Sequence, residues 1–250
     1  AAHADNAACV AAPQVADIQQ AMVKFPSRDR GLLWRAEKDG RTSWLYGTIH
    51  VGRLEWIVPG PSVVRAMRAS DAVALELDLS NPDEVRAMTA PVDRASAERV
   101  LAGGLGARLQ AQLHKACMPD ALAAALRPAM QAIALAGISA RADGLHPELG
   151  IDFILNGMAP QLGKPVVALE TVKEQLAFLL PATEDEEREM VADVLDELES
   201  KRSDAVLRRM ALAWEHSDER ELASYLAWCD CVKTPAEKQM MRRLLDDRNP

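Results

Sequence analysis

No apolar run in this 250-residue chain approaches the ~20 residues that a membrane-spanning helix needs, which sets aside a helical membrane architecture. A surplus of basic charge is missing too. Lys and Arg number 29 against 37 Asp and Glu, a net charge of −8, and a field of that sign argues against a nucleic-acid or anionic-membrane surface. Familiar catalytic signatures are absent: there is no H-E-x-x-H array, no G-x-S-x-G, no P-loop and no G-x-G-x-x-G. The GGLG at Gly103 to Gly106 is a turn signal and nothing more specific. Nor does the chain open on Met. It begins AAHADNAACVAAP, where Ala2-His3-Ala4 fits the small-x-small rule of signal-peptide cleavage and Asp5 would be the first mature residue. The start therefore reads as the remnant of an export signal, although an arbitrary boundary would look the same.

Cysteine is sparse but even in number. Cys9, Cys117, Cys229 and Cys231 agree with an oxidising compartment, periplasmic or secreted, and allow two disulfides in three connectivities among which sequence does not choose. Cys229-Asp230-Cys231 is too tight to bridge to itself, and as a C-x-C metal or redox site it lacks a second cysteine pair. Hydrophobic residues at 49% and charged residues at 26% are ordinary for a globular chain long enough to bury a sizeable core.

Patterning divides the chain into an arm over residues 1–30 and a single domain over 31–250, with helical stretches at 81–145 and 183–247. In the arm, Ala16 to Val23 suggests a short helix ended by Pro26. Leu32–Glu37 and Ser43–Ile49 read as a hairpin around an Asp39-Gly40 turn. Ser62 is placed to cap a helix whose apolar face is Val63, Val64 and Met67. Asp71 to Leu79 reads as a buried strand, Pro147–Gln161 as a helix stopped by Gly163, and Pro165–Leu169 as another strand. Thr171 with Glu174 three residues on is a capping box. VALE occurs twice, at Val73–Glu76 and Val167–Glu170, each time closing an apolar strand, as though two strand–glutamate units faced one cleft.

The stretch LYGTIHVG then stands out. Gly47 stands three residues before His50, which closes an apolar run, and a glycine there lets backbone approach a ligand. An imidazole fixed by a strand end, joined by Glu76 and Glu170, is a partial ligand set for a divalent metal, or a ligand with a general base. Each has a plainer reading. A lone histidine after a strand is more often a rim residue, Glu76 has Arg53 and Arg65 as candidate partners, and Glu170 sits at a helix start where the dipole alone favours it. His114 and His216 read as surface residues, and His146, before Pro147, as a loop contact.

On LLWRAEKDGRTSWLYGTIHVG, PSVVRAMRASDAVALELDL, GIDFILNGMAPQLGKPVVALETVKEQL and the closing LLDDRNP, spread over Leu32 to Pro250, the chain resembles the TraB/GumN family, which includes the TIKI metalloproteases, and within it the GumN-like bacterial proteins. The resemblance implies an α/β fold, a small central mixed sheet with large helical insertions, similar to erythromycin-esterase and haem-binding ChaN-like proteins. It implies metal-dependent hydrolysis of peptide bonds, with Gly47 to His50 as the first of two G-x-x-H motifs and Glu76 as the family's glutamate. His50, Glu76 and Glu170 would then hold Mn, Co or Zn, with Gly47 and Asp152 in support. No second G-x-x-H occurs in the chain. The resemblance places it after a segment like LLDDRNP, so either a C-terminal strand and histidine lie beyond Pro250 or the chain is a degenerate form. The partner expected is a peptide or protein substrate, and oligomerisation is left open. The rival expectation is a non-catalytic periplasmic protein that binds haem, a peptide or a polysaccharide-export partner, with Trp56, Trp214 or Trp228 at its surface.

Overall fold

A computed structural model describes residues 10–87 and 92–229, together with 238, 241 and 242. Helix α1, Val15–Lys24, is entered through Gln14, whose backbone N–H donates to Asp17 Oδ2 at 2.8 Å. Its inner face places Ala21 and Ile18 on Ile57 and Leu149. Strands β1, Leu33–Lys38, and β2, Arg41–Tyr46, form the expected hairpin. Asp39 and Gly40 both take positive φ, 52° and 74°, the two-residue turn whose twist matches paired strands. The ladder ends at Tyr46, three residues earlier than expected, so Gly47 to His50 belong to a loop and not to a strand.

Helix α2 spans Pro61–Ala69, with Gly60 in the capping position expected of Ser62. Ser62 lies inside the first turn, where its N–H and hydroxyl donate to the Asp29 carboxylate at 2.8 and 2.7 Å. Strand β3 is short, Val73–Leu75. Then follow α3 (Pro82–Ala87), α4 (Arg94–Val100), α5 (Leu105–Lys115), α6 (Asp120–Ala124) and α7 (Pro128–Ser139). The helix expected from Pro147 is broken at Gly150 into a 3-10 turn, Pro147–Leu149, and α8, Ile151–Gln161. Strand β4, Val166–Ala168, pairs with β3 in parallel. Helix α9, Val172–Leu179, starts on Thr171, whose hydroxyl accepts from the Glu174 N–H while the Glu174 carboxylate takes the Thr171 N–H, as the capping box requires. The chain continues through α10 (Glu184–Ser200), α11 (Arg202–Glu215), α12 (Glu219–Ala223) and α13 (Tyr225–Trp228).

The α/β class therefore holds, with its described strands in two separate pairs, one antiparallel and one parallel. Two cores result. One gathers Ile49, Val51, Trp56, Met67, Leu155 and Trp214 beneath the Gly47–Gly52 loop. The other binds α5, α7 and α10 through Leu109, Leu113, Leu135, Val191 and Leu195, and full burial of each such side chain is worth about 2 kcal/mol. Arginines clasp the acid-rich α10 from its neighbours: Arg99 to Glu184, Arg108 to Asp196 and Glu199, Arg127 to the buried Glu187. No described helix is long and apolar enough to cross a membrane.

Neither Cys117 nor Cys229 is a free thiol. Cys9 and Cys231 lie outside the described residues, as do His3 and the closing LLDDRNP.

Candidate functional site

The Gly47–Gly52 loop is pinned from several directions. The Gly47 N–H donates to Leu32 O at 2.9 Å, and Ile49 O accepts the first N–H of α8, from Ile151, at 2.9 Å. Gly52 exchanges both backbone hydrogen bonds with His146, at 2.9 and 2.7 Å. These pairings bring the 146–151 segment so close that a Cβ on Gly52 would fall 2.0 Å from Leu149 O, and one on Gly150 would fall 3.0 Å from His50 O. Only glycine fits the Gly52 position without a shift of backbone. Gly47 differs: a Cβ there would meet nothing nearer than 3.8 Å, so no close packing of the protein requires it.

His50 is held between these anchors with its side chain 70% exposed. Its Nδ1 lies 3.2 Å from Asp152 Oδ1, in the first turn of α8. The contact is one of charge, because Oδ1 accepts no aligned hydrogen bond from the protein. The Asp152 carboxylate beside Nδ1 holds the imidazole above its ordinary pKa against the desolvation that pulls it down, and the charge of Glu76 adds a smaller push in the same upward direction. Asp152 thus takes up one ring nitrogen and leaves Nε2 for other chemistry.

Glu76 follows β3 directly, exposed, with Gln175 Nε2 donating to its Oε2 at 3.4 Å. Neither arginine proposed for it is there: Arg53 donates to Asp143 O at 3.0 Å and Arg65 to Ser62 Oγ at 2.8 Å. Glu170 approaches Glu76 through backbone, its N–H donating to Glu76 O at 3.1 Å. The VALE echo does not make the two glutamates equivalent. The ladder pairs Leu75 with Ala168 and Ala74 with Val167, so the copies are offset by one residue, and an offset of one exchanges the faces of a strand. His50, Asp152 and Glu76 are therefore brought together. Among the described residues, no group of three or more His, Cys, Asp or Glu has the geometry to hold a metal ion.

Three further residues contribute, and of these only His146 is expected from sequence, as a loop contact. His146 is 9% exposed, pairs through its backbone with Gly52, and carries a buried Nδ1 without a partner; burial lowers its pKa. Gly52 ends the quoted loop, yet nothing local marks it as the point where the Pro147–Leu149 turn closes in. Trp214 comes from α11 and donates from Nε1 to Gly47 O at 2.8 Å. With Trp56 it belongs to the core, at 4% and 2% exposure, which removes both from any binding surface.

A model of the TraB/PrgY/gumN family matches residues 32–250. The chain belongs to that family. Its match begins at Leu32, beside the hairpin that delivers Gly47 to His50, and takes in every residue of the site. Among curated proteins, this family member is similar to the uncharacterized protein YbaP of Shigella flexneri, 30% identical over 141 residues, 56% of this chain and 52% of the relative. It is also similar to the uncharacterized protein YbaP of Escherichia coli strain K12, 28% identical over 163 residues, 59% of this chain and 61% of the relative. The chain spans little more than half the length of the curated relatives it matches. No solved structure matches it.

Proposed function

We propose that this TraB/PrgY/gumN family member is an exported metal-dependent hydrolase that acts on peptide bonds, with His50, Asp152 and Glu76 as its working residues. The observation that carries the reading is the contact of His50 Nδ1 with Asp152 at 3.2 Å on an otherwise exposed imidazole. A carboxylate behind a histidine fixes the ring's tautomer and orientation and raises the basicity of its outer nitrogen. Glu76, within electrostatic reach of His50 and forming no ion pair with Lys or Arg among the described residues, is the group to accept a proton from an attacking water. Gln175 orients it.

One imidazole with carboxylates suits Mn, Co or Zn in donor chemistry, although the described residues gather too few donors to close a shell. A metal on His50 would supply a bound water of lowered pKa and polarise the scissile carbonyl, leaving the Glu76 carboxylate to take that water's proton. Within that scheme Asp152 aims His50, and Glu170 supports Glu76 through the backbone. An extracytoplasmic setting agrees with the absence of a free thiol at Cys117 and Cys229.

The test is calorimetric titration with Mn²⁺, Co²⁺ and Zn²⁺ alongside cleavage of a peptide library. The His50→Ala variant should lose metal binding and at least about a hundredfold in cleavage rate. A His50→Ala protein that binds and cleaves like the parent removes the reading.

A further inference from the structure

We propose that Trp214 is a positioning residue for His50, acting through the carbonyl of Gly47. Of the anchors on the Gly47–Gly52 loop, those at Ile49 and Gly52 come from the 146–151 segment and that on the Gly47 N–H from beside β1. The bond from Trp214 Nε1 to Gly47 O, 2.8 Å long, is the anchor supplied by α11. It fixes the end of the motif opposite to the one that His146 fixes.

The indole is itself held on every side. It stacks obliquely on Trp56 at 5.1 Å and on Tyr46 at 6.3 Å. Gly31 makes room for it: a Cβ there would stand 2.8 Å from the indole nitrogen, and the Gly31 N–H returns a hydrogen bond to Trp214 O at 2.9 Å. The neighbouring Glu215 reinforces the same end of the helix, accepting from Trp56 Nε1 at 3.3 Å and facing the buried Arg30 at 4.0 Å. Arg30 in turn offers its carbonyl to the Tyr46 hydroxyl at 2.8 Å, at the last residue of β2. A buried, fully determined donor is thus aimed at one backbone oxygen three residues before His50. With that oxygen fixed, the loop between Gly47 and Ile49 has little freedom, and the ring of His50 meets Asp152.

The inference rests on His50 being the working residue, and its readouts follow His50 and its loop directly, so it stands or falls apart from the hydrolase reading. Two variants of the full chain are compared. Trp214→Phe keeps an aromatic ring in the core but loses the N–H that reaches Gly47. Trp56→Phe removes similar volume from the same cluster, and its lost N–H served Glu215 instead. Amide hydrogen exchange at Thr48 to His50 is measured by NMR, together with the carbethoxylation rate of His50, with the exposed His114 and His216 as internal references. Trp214→Phe should raise both exchange and His50 modification by about five- to tenfold, relative to those references, while Trp56→Phe leaves them within about twofold of the parent. Equal effects of the two variants would mean that Trp214 is only core and would overturn the proposal, as would an unchanged loop in a folded Trp214→Phe protein. Should Trp214→Phe fail to fold, 3-benzothienylalanine at position 214, which keeps the bicyclic ring and has sulfur in place of the N–H, gives the same readings.

Discussion

Replacing Gly52 with alanine is the sharpest perturbation the site offers. The new methyl would stand 2.0 Å from Leu149 O and 2.9 Å from Leu149 C, both backbone atoms that cannot rotate away. Relief requires the two segments to part by more than an ångström. The Gly52–His146 bridge, with bonds of 2.9 and 2.7 Å, does not survive such a shift. Two backbone hydrogen bonds are worth about 1 kcal/mol each, and leaving buried groups unpaired adds roughly 1–3 kcal/mol. The expected cost is therefore about 3–5 kcal/mol, a large part of the ~5–15 kcal/mol that stabilises a typical domain. Urea unfolding, followed by circular dichroism, should show the midpoint falling by about 1–2 M. Gly157→Ala is the control: it lies within α8, nothing stands within 4 Å of its would-be Cβ, and alanine there should stabilise by about 0.5–1 kcal/mol. If Gly52→Ala unfolds within about 0.3 M of the parent, the close approach of Leu149 is not real and the geometry built on it fails.

Two further outcomes are expected. Glu187, 3% exposed, accepts from Arg127 and from the Ala129 N–H at 2.9 Å; Glu187→Ala should cost about 2–3 kcal/mol in thermal or urea unfolding, whereas Glu184→Ala on the outer side of the same helix should leave the midpoint close to the parent's. The pH dependence of stability should carry two opposed histidine contributions. The pKa of His146 is lowered by burial from 6.5, so its contribution is complete above that value and is lost as the pH falls toward the folded pKa. His50 is raised from 6.5 by Asp152, so its contribution is complete below that value and is lost as the pH rises through the folded pKa. Urea midpoints from pH 5 to 8 should show a weaker acid loss in His146→Gln and a weaker alkaline loss in Asp152→Asn, and parallel curves for all three proteins would refute both assignments.

Local chemistry in the sequence located most of the elements. Asp39-Gly40 marked its turn because two consecutive positive φ values suit few other pairs, and Thr171 with Glu174 marked a helix start because the bonds that make it are three residues apart. The residues His50, Asp152 and Glu76 were all legible as candidates. What sequence did not reveal were distances set by partners far along the chain. The strand expected up to Ile49 stops at Tyr46, with one last bond from the Gly47 N–H to Leu32 O, because the chain ahead of β1 turns away at Gly31 to bond Trp214 O, and the carbonyl of Ile49 goes to α8 instead. Glu170 looked equivalent to Glu76 until the ladder showed an offset of one residue. Trp214 read as a candidate for a binding surface because nothing near it in sequence indicates burial against Gly47 or a bond to its carbonyl.

That bond spans 167 residues of chain. Bringing such distant points together is entropically expensive, and the penalty is met before the contact returns anything. Completion of the His50 loop is therefore a late event in folding: a nascent or clipped polypeptide that lacks α11 can close its hairpin and its Gly52–His146 bridge, yet it leaves the Gly47 carbonyl without its donor.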